Sequence, residues 1–264
     1  MKKYLIIFKS NLIKFLQYRG DFLLGLVSLV LNLIITIFLA KAFYENTDSI
    51  YGYTLSELAT YTLISSSLRA LIETSIHWAL TNDIKSGKLS IKLTQPINYK
   101  LFRLFSEFAR KINHIFFTLI AIFFIFKVYQ YNFGITIIKY RIFVFVIMTI
   151  CSFFINWFFR QTLGNFAFWM KDIGGLSQFL NEVVGLLGGS WVPLDYLKPI
   201  YNILKLLPFS YILYFPSRVL IDSTIETATI HKILFIQFLW IIFFCLLSQL
   251  LWKKGLKKYE SVGI

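Results

Sequence analysis

Arg69, Glu73 and His77 stand four residues apart in a largely apolar stretch, a spacing that lays all three along one slowly drifting face of a helix. A guanidinium, a carboxylate and an imidazole so aligned can take part in substrate passage or gating, or relay protons. The structural alternative is that Arg69 and Glu73 pair with each other while His77 snorkels toward an interface. Farther along, Asn181 and Glu182 occupy the middle of another apolar run, followed by Gly185 and Gly189 at a GxxxG interval. A charged side chain at membrane depth costs about 2.5–3.5 kcal/mol on insertion scales, so these groups should face protein or water. Glu182 in particular must be paired, protonated or wet. The two glycines permit close helix approach, within one subunit or between two.

Other chemistry is missing by motif. A nucleotide-phosphate loop needs GxxxxGK[ST]; Gly87 and Lys88 are adjacent, but Leu89 follows and Asn82 stands where the first glycine belongs. ATP, if it drives this protein, is hydrolysed on another chain, and no cofactor is expected on this one. No HExxH occurs, and no serine, histidine and acid arrangement can be assembled from sequence order. His77, His114 and His231 are too scattered for a metal site, and Cys151 and Cys245 lie within apolar runs, so neither a metal cluster nor a disulfide framework is indicated. An intramembrane enzyme is the weakest reading.

These residues must be positioned by membrane helices. Hydrophobic residues make up 57% of the 264, aromatic residues 19% and charged residues only 15%, far from the composition of a soluble domain. The chain reads as one all-α integral membrane domain, too short for a bundle plus a soluble catalytic unit. Its net charge of +14 sits at the ends of apolar segments, which fits membrane orientation better than nucleic-acid binding. Residues 1–19 read as an interfacial helix, with Lys3, Ser10, Lys14 and Gln17 on one face and Tyr4, Phe8, Leu12 and Phe15 on another. The start resembles a secretory signal, yet the uncharged run 22–40 has spanning length, so it reads as a retained first span.

Six spans are predicted near 22–40, 57–80, 112–130, 141–159, 173–192 and 231–252. Lysines and arginines concentrate in 1–19, in 81–111 and in the tail at Lys253, Lys254, Lys257 and Lys258. Both termini are therefore expected in the cytoplasm, with Lys41, Lys127, Lys139 and Arg141 among the fewer charges outside. Gly87 can end the helix continuing from span two and Pro96 can start the next, making 81–111 a short structured connector. Four of the five prolines fall in PLDYLKPIYNILKLLPFSYILYFP, Pro193 to Pro216, an apolar stretch cut into pieces too short to span. It is expected at 193–220 as an external re-entrant helical segment between spans five and six, where Tyr201, Phe209, Tyr211, Tyr214 and Phe215 line an exit or form an interfacial belt. The abundance of Ile, Phe, Lys, Asn and Tyr fits an AT-rich bacterial genome, hence a bacterial plasma membrane.

Two stretches carry a family resemblance. GGSWVPLDYLKPIYNILKLLPFSYILYFP, Gly188 to Pro216, and SGKLSIKLTQPINY, Ser86 to Tyr99, resemble the ABC-2 type permeases of ATP-binding cassette exporters, within the small six-span group related to antibiotic-resistance permeases. The order and spacing of these motifs, with the span count, cover nearly the whole chain. Asp222 and Lys198, beside Pro199, depart from the commoner pattern. The resemblance implies a single ABC-2 transmembrane domain over 1–264 that dimerises, as a homodimer or with a related permease, and couples to two cytoplasmic ATPase subunits holding ATP and Mg. It assigns 81–111 to ATPase coupling, with Lys85, Gly87, Leu89, Leu93 and Pro96 as the contact residues. It sets spans two and five beside the dimer axis and the translocation path, so Glu182 is expected to face Arg69 or the cavity. It also marks Pro193, Pro199, Pro208, Phe209, Tyr211 and Pro216 as the external re-entrant element.

The leading expectation is an ATP-driven exporter permease for a hydrophobic or amphipathic substrate: a drug, an antimicrobial peptide or a lipid-linked molecule. The alternative is a proton-coupled secondary transporter with Glu73, His77 and Glu182 as its relay. Against it stand the basic connector and the lack of evident discontinuous-helix pairs.

Overall fold

The computed structural model describes residues 2–17, 49–51, 53–112, 139–170, 172–222 and 224–259, apart from residue 52 and with isolated positions at 27, 31, 34, 35, 38, 44 and 115. The predicted spans 22–40 and 112–130 lie outside the described residues for nearly all their length. Among the described residues the architecture is helical, with one isolated bridge, Ile50 to Tyr53. Helix α1 is Lys2–Gln17. Its Tyr4 is buried, stacks on Phe105 at 5.5 Å and accepts the Asn98 N–H at 2.9 Å, so this amphipathic helix packs on the connector as well as carrying exposed Leu5, Ile6 and Ile13.

Helix α2, Leu55–Ile72, starts at a capping box: the Glu57 N–H donates to Thr54 Oγ1, and the Thr54 N–H donates to the Glu57 carboxylate at 2.9 Å. Span two was expected to be continuous to residue 80. Instead α2 stops, residues 73–75 are non-helical, and α3 runs Ile76–Lys85. Arg69, Glu73 and His77 therefore do not share one helical face. After α3, Gly87 at φ +71° ends the helix as predicted, and α4 follows at Lys88–Thr94. Helix α5, 99–112, is capped by Asn98, whose Oδ1 accepts the N–H of Lys100 and Leu101, and not by Pro96, which stands two residues outside.

Helix α6, Lys139–Asn165, and helix α11, Thr227–Lys258, make the most extensive helix pair. They are the two helices, among the described residues, long and apolar enough to cross a membrane. Several of their polar groups find partners within the helix or across the packing: Thr149 and Thr162 donate to carbonyls four residues back, Asn165 Nδ2 donates to Ser248 O and Gln237 Nε2 to Tyr211 O. The core between them includes Met148, Ile155 and Ile212, while Phe235, Phe238, Phe243 and Leu250 of α11 face outward.

Helix α7, Gly174–Leu187, has 14 residues, about 21 Å, and so ends well before the predicted limit at 192. A Schellman turn stops it: Ser190 N–H donates to Gly185 O and Gly189 N–H to Leu186 O, with Gly189 at φ +76°. Gly185 and Gly189 are thus not a pair on one helix face. The proline-rich stretch forms a 3₁₀ segment at Leu194–Ile200 and three short helices, α8 (Tyr201–Leu204), α9 (Pro208–Ile212) and α10 (Tyr214–Ile221). Pro193 and Pro208 precede or open helical turns, Pro216 lies in the first turn of α10, and Pro199 sits beside the kink at Leu197.

Candidate functional site

The α2–α3 break is built by side chains from other helices. Ending α2 leaves carbonyls without helical partners. Three are taken up: Ala70 O by Lys111 Nζ at 3.2 Å, Ile72 O by Asn156 Nδ2 at 2.9 Å and Glu73 O by Arg110 Nη2 at 3.2 Å. The first and third donors come from α5 and the second from α6. At the far side, the N–H of Ile76 reaches Thr74 Oγ1 at 3.4 Å, and Gly164 of α6 lies so close to His77 that a Cβ there would stand 2.9 Å from its Cα.

The break opens a cavity of about 380 Å³. Glu73, Thr74, Ser75, His77 and Trp78 form one wall, Arg110 and Arg160 another, and Ser177, Gln178, Asn181 and Glu182 of α7 the third. The Glu73 carboxylate pairs with Arg160 at 3.4 Å, not with Arg69 as the four-residue spacing suggested. Arg160 also donates to Asn181 Oδ1 at 2.7 Å. Arg69 donates to Ser190 Oγ at 3.4 Å and, like Trp191, lies against Gly185. Glu182 lines the cavity and does not meet Arg69. His77 is buried, 3% exposed, with Nδ1 unpartnered, so it does not snorkel.

Of the residues singled out for the path, Glu73, His77, Asn181 and Glu182 line the cavity and Arg69 does not, while Trp78, Arg110, Arg160 and Ser177 are among the lining residues that sequence reasoning did not single out. The signal for Arg160 was present: α6 extends through the predicted end at 159, placing an arginine inside a long apolar helix.

At the α3 end, Asp83 is buried and accepts from Lys92 Nζ at 2.7 Å, from Tyr99 OH at 2.7 Å and from Arg103. Burial alone would raise its pKa, but the bonds from Lys92 and Tyr99 and the Arg103 charge outweigh that and hold the carboxyl below the usual aspartate range. This network locks α3, α4 and α5 into one corner. Tyr99 stacks on Trp252 at 5.4 Å, tying the corner to α11. Among the residues proposed for coupling, Leu93 and Pro96 are exposed and Lys85 pairs at the surface with Asp172 at 3.0 Å. Leu89 is fully buried with Leu80 and Ile84 and supports the corner from within.

At the opposite end Asp195 accepts from Tyr53 OH at 2.7 Å, Tyr214 OH at 2.8 Å and Arg218 Nη1 at 3.0 Å. Burial and Asp195 keep the Tyr53 phenol protonated, well above its usual range. Tyr211 and Tyr214 are buried and Phe209 packs edge-on against Phe159 at 5.7 Å, so these aromatics are packed core and do not form an open exit lining. Asp222 pairs with Arg218 at 3.5 Å and accepts from Thr224, and Lys198 lies over the Tyr51 ring at 4.8 Å.

The described residues thus combine two helices long and apolar enough to cross a membrane with a polar cavity at an interrupted helix. The profile of a family described as ABC-2 family transporter protein matches residues 30–263. The chain belongs to the ABC-2 transporter family. No curated protein and no solved structure matches it. An ABC-2 transporter protein is a membrane transport component that works with an ATP-binding subunit, which accords with the missing phosphate loop and with the apolar helices.

Proposed function

We propose that this ABC-2 protein is the permease half of an exporter, dimeric with itself or a related permease, that moves a hydrophobic or amphipathic substrate out of a bacterial cell while two separate ATPase subunits hydrolyse ATP. The observation that carries the reading is the position of the cavity: its wall is the α2–α3 break, and α3 continues directly into the corner fixed by Asp83. With both termini cytoplasmic, that corner faces the ATPase and the proline-rich stretch re-enters from outside. Closure of the ATPase dimer would press on α4, turn α3 about residues 73–75 and reshape the cavity, with differential ATP affinity of the two states supplying the shift. The cavity would stand in the inner half of the membrane, three turns from the cytoplasmic end of α3 at Lys85.

A second reading has an observation in its favour. Glu73, His77 and Glu182 line one cavity at a discontinuous helix, the setting of a proton-coupled carrier. Co-expression with an ATP-binding cassette subunit from the same gene cluster, followed by reconstitution, separates the two. A stable complex and ATP-dependent efflux that survives collapse of the proton gradient is the expected result. No complex, with efflux that follows the gradient without ATP, would establish the second reading instead.

A further inference from the structure

Of the charged groups that line the cavity, three are neutralised by protein and one is not. Arg160 is engaged by the Glu73 carboxylate and by Asn181 Oδ1, and Arg110 by Glu107, to which its Nε donates at 2.9 Å, and by Glu73 O. Glu182 has neither an ion pair nor a hydrogen bond among the described residues. The nearby cations are committed elsewhere and lie off the lining: Arg69 reaches Ser190 and Lys111 reaches Ala70 O.

Glu182 stands on an exposed face of α7 between apolar Phe179 and Leu186, where a bare carboxylate carries the membrane-depth penalty and calls for a counter-charge or water. Across the same cavity Trp78 is 43% exposed, presenting an aromatic surface, the other group that favours an organic cation. Gln178 and Ser177 add hydrogen-bonding capacity beside them. An anion is disfavoured there. It would face the Glu182 carboxylate, and the Arg160 charge is already balanced by Glu73.

We infer that the cavity binds an organic cation, with Glu182 as its counter-ion and Trp78 as its aromatic wall. This rests on the reading of the cavity as the substrate station and narrows the amphipathic substrate to one whose polar end is positively charged. A volume of about 380 Å³ suits a small cation or the charged end of a larger amphiphile.

The test uses the full chain purified into nanodiscs of phosphatidylcholine, which carries no net charge, and two labelled probes of matched shape and opposite charge, tetraphenylphosphonium and tetraphenylborate. Saturable phosphonium binding is expected, weakened about tenfold or more by Glu182→Gln and less by Trp78→Leu, and largely kept by Glu182→Asp. The borate should bind no better than it does to empty nanodiscs. Melting of each variant is followed alongside; Glu182→Gln is near-isosteric at an exposed position and should melt as the parent does. No saturable phosphonium binding, equal affinity in Glu182→Gln, or tighter binding of the borate would overturn the inference. Binding is read without ATP or a gradient. Glu182-dependent binding without ATP-driven efflux would therefore leave the cation site standing and remove the export reading, and efflux without such binding would do the reverse.

Discussion

Asp83 shows how much one residue can hold: a carboxylate with three donors from two other helices, in a corner whose other polar groups are cations and a phenol. Its folded pKa is depressed, so its contribution to stability is complete above the unfolded value of about 3.9 and is lost as pH falls from there through the folded value. Thermal unfolding of the solubilised protein followed from pH 6 to pH 3 should reveal a loss of melting temperature below about pH 4 that Asp83→Asn lacks. At neutral pH the same substitution should cost about 2–3 kcal/mol, less than for a fully buried pair because Lys92 and Arg103 are partly exposed. The cavity residues Glu73, His77, Asn181 and Glu182 were legible in the sequence because polar groups stand out among apolar neighbours. Their partners were not. Arg110, Lys111 and Asn156 bind main-chain carbonyls, and nothing in a side chain's identity says which carbonyl will be free.

Among the elements, α1 was legible from the spacing of its polar and apolar residues, and α6 and α11 from their apolar length, although both run past the predicted limits at 159 and 252. The division of the proline-rich stretch into short pieces was legible for a similar reason: proline acts through the local backbone. The α2–α3 break was not. Glu73, Thr74 and Ser75 include neither glycine nor proline, and the interruption is fixed by tertiary donors that a local pattern cannot contain. The end of α7 was misplaced because Gly185 and Gly189 were taken as a helix-packing interval when Gly189 is the left-handed residue of a stop. Gly189→Ala should accordingly lower stability by about 1–2 kcal/mol, from the left-handed backbone and from a new methyl 2.8 Å from the Tyr61 hydroxyl. Gly185→Ala should cost less, since its methyl meets only the movable ends of Arg69 and Trp191. Denaturation midpoints of the two variants side by side check the order.

For the whole molecule, the positive charge of the connector and tail predicts that 81–111 and 253–258 share the cytoplasmic side and that the proline-rich stretch lies opposite. Leu206, 74% exposed between α8 and α9, is the position to probe, whereas Tyr211 is buried and would report only on unfolding. A cysteine at Leu206, in a background with Cys151 and Cys245 replaced, should react with an impermeant maleimide in intact cells, and one at Lys88 only after permeabilisation; labelling of Leu206 solely from the cytoplasm would invert the topology. The three-residue break also bears on how the chain tolerates changes in length. Each residue added to a continuous helix rotates everything beyond it by about 100°. Residues 73–75 carry no helical repeat, and the face that α3 turns to α6 is held by its own contact, His77 and Leu80 against Gly164. Insertions or deletions in α2 therefore need not rotate α3, so the two halves of this segment can drift in length independently, a freedom that an unbroken span lacks.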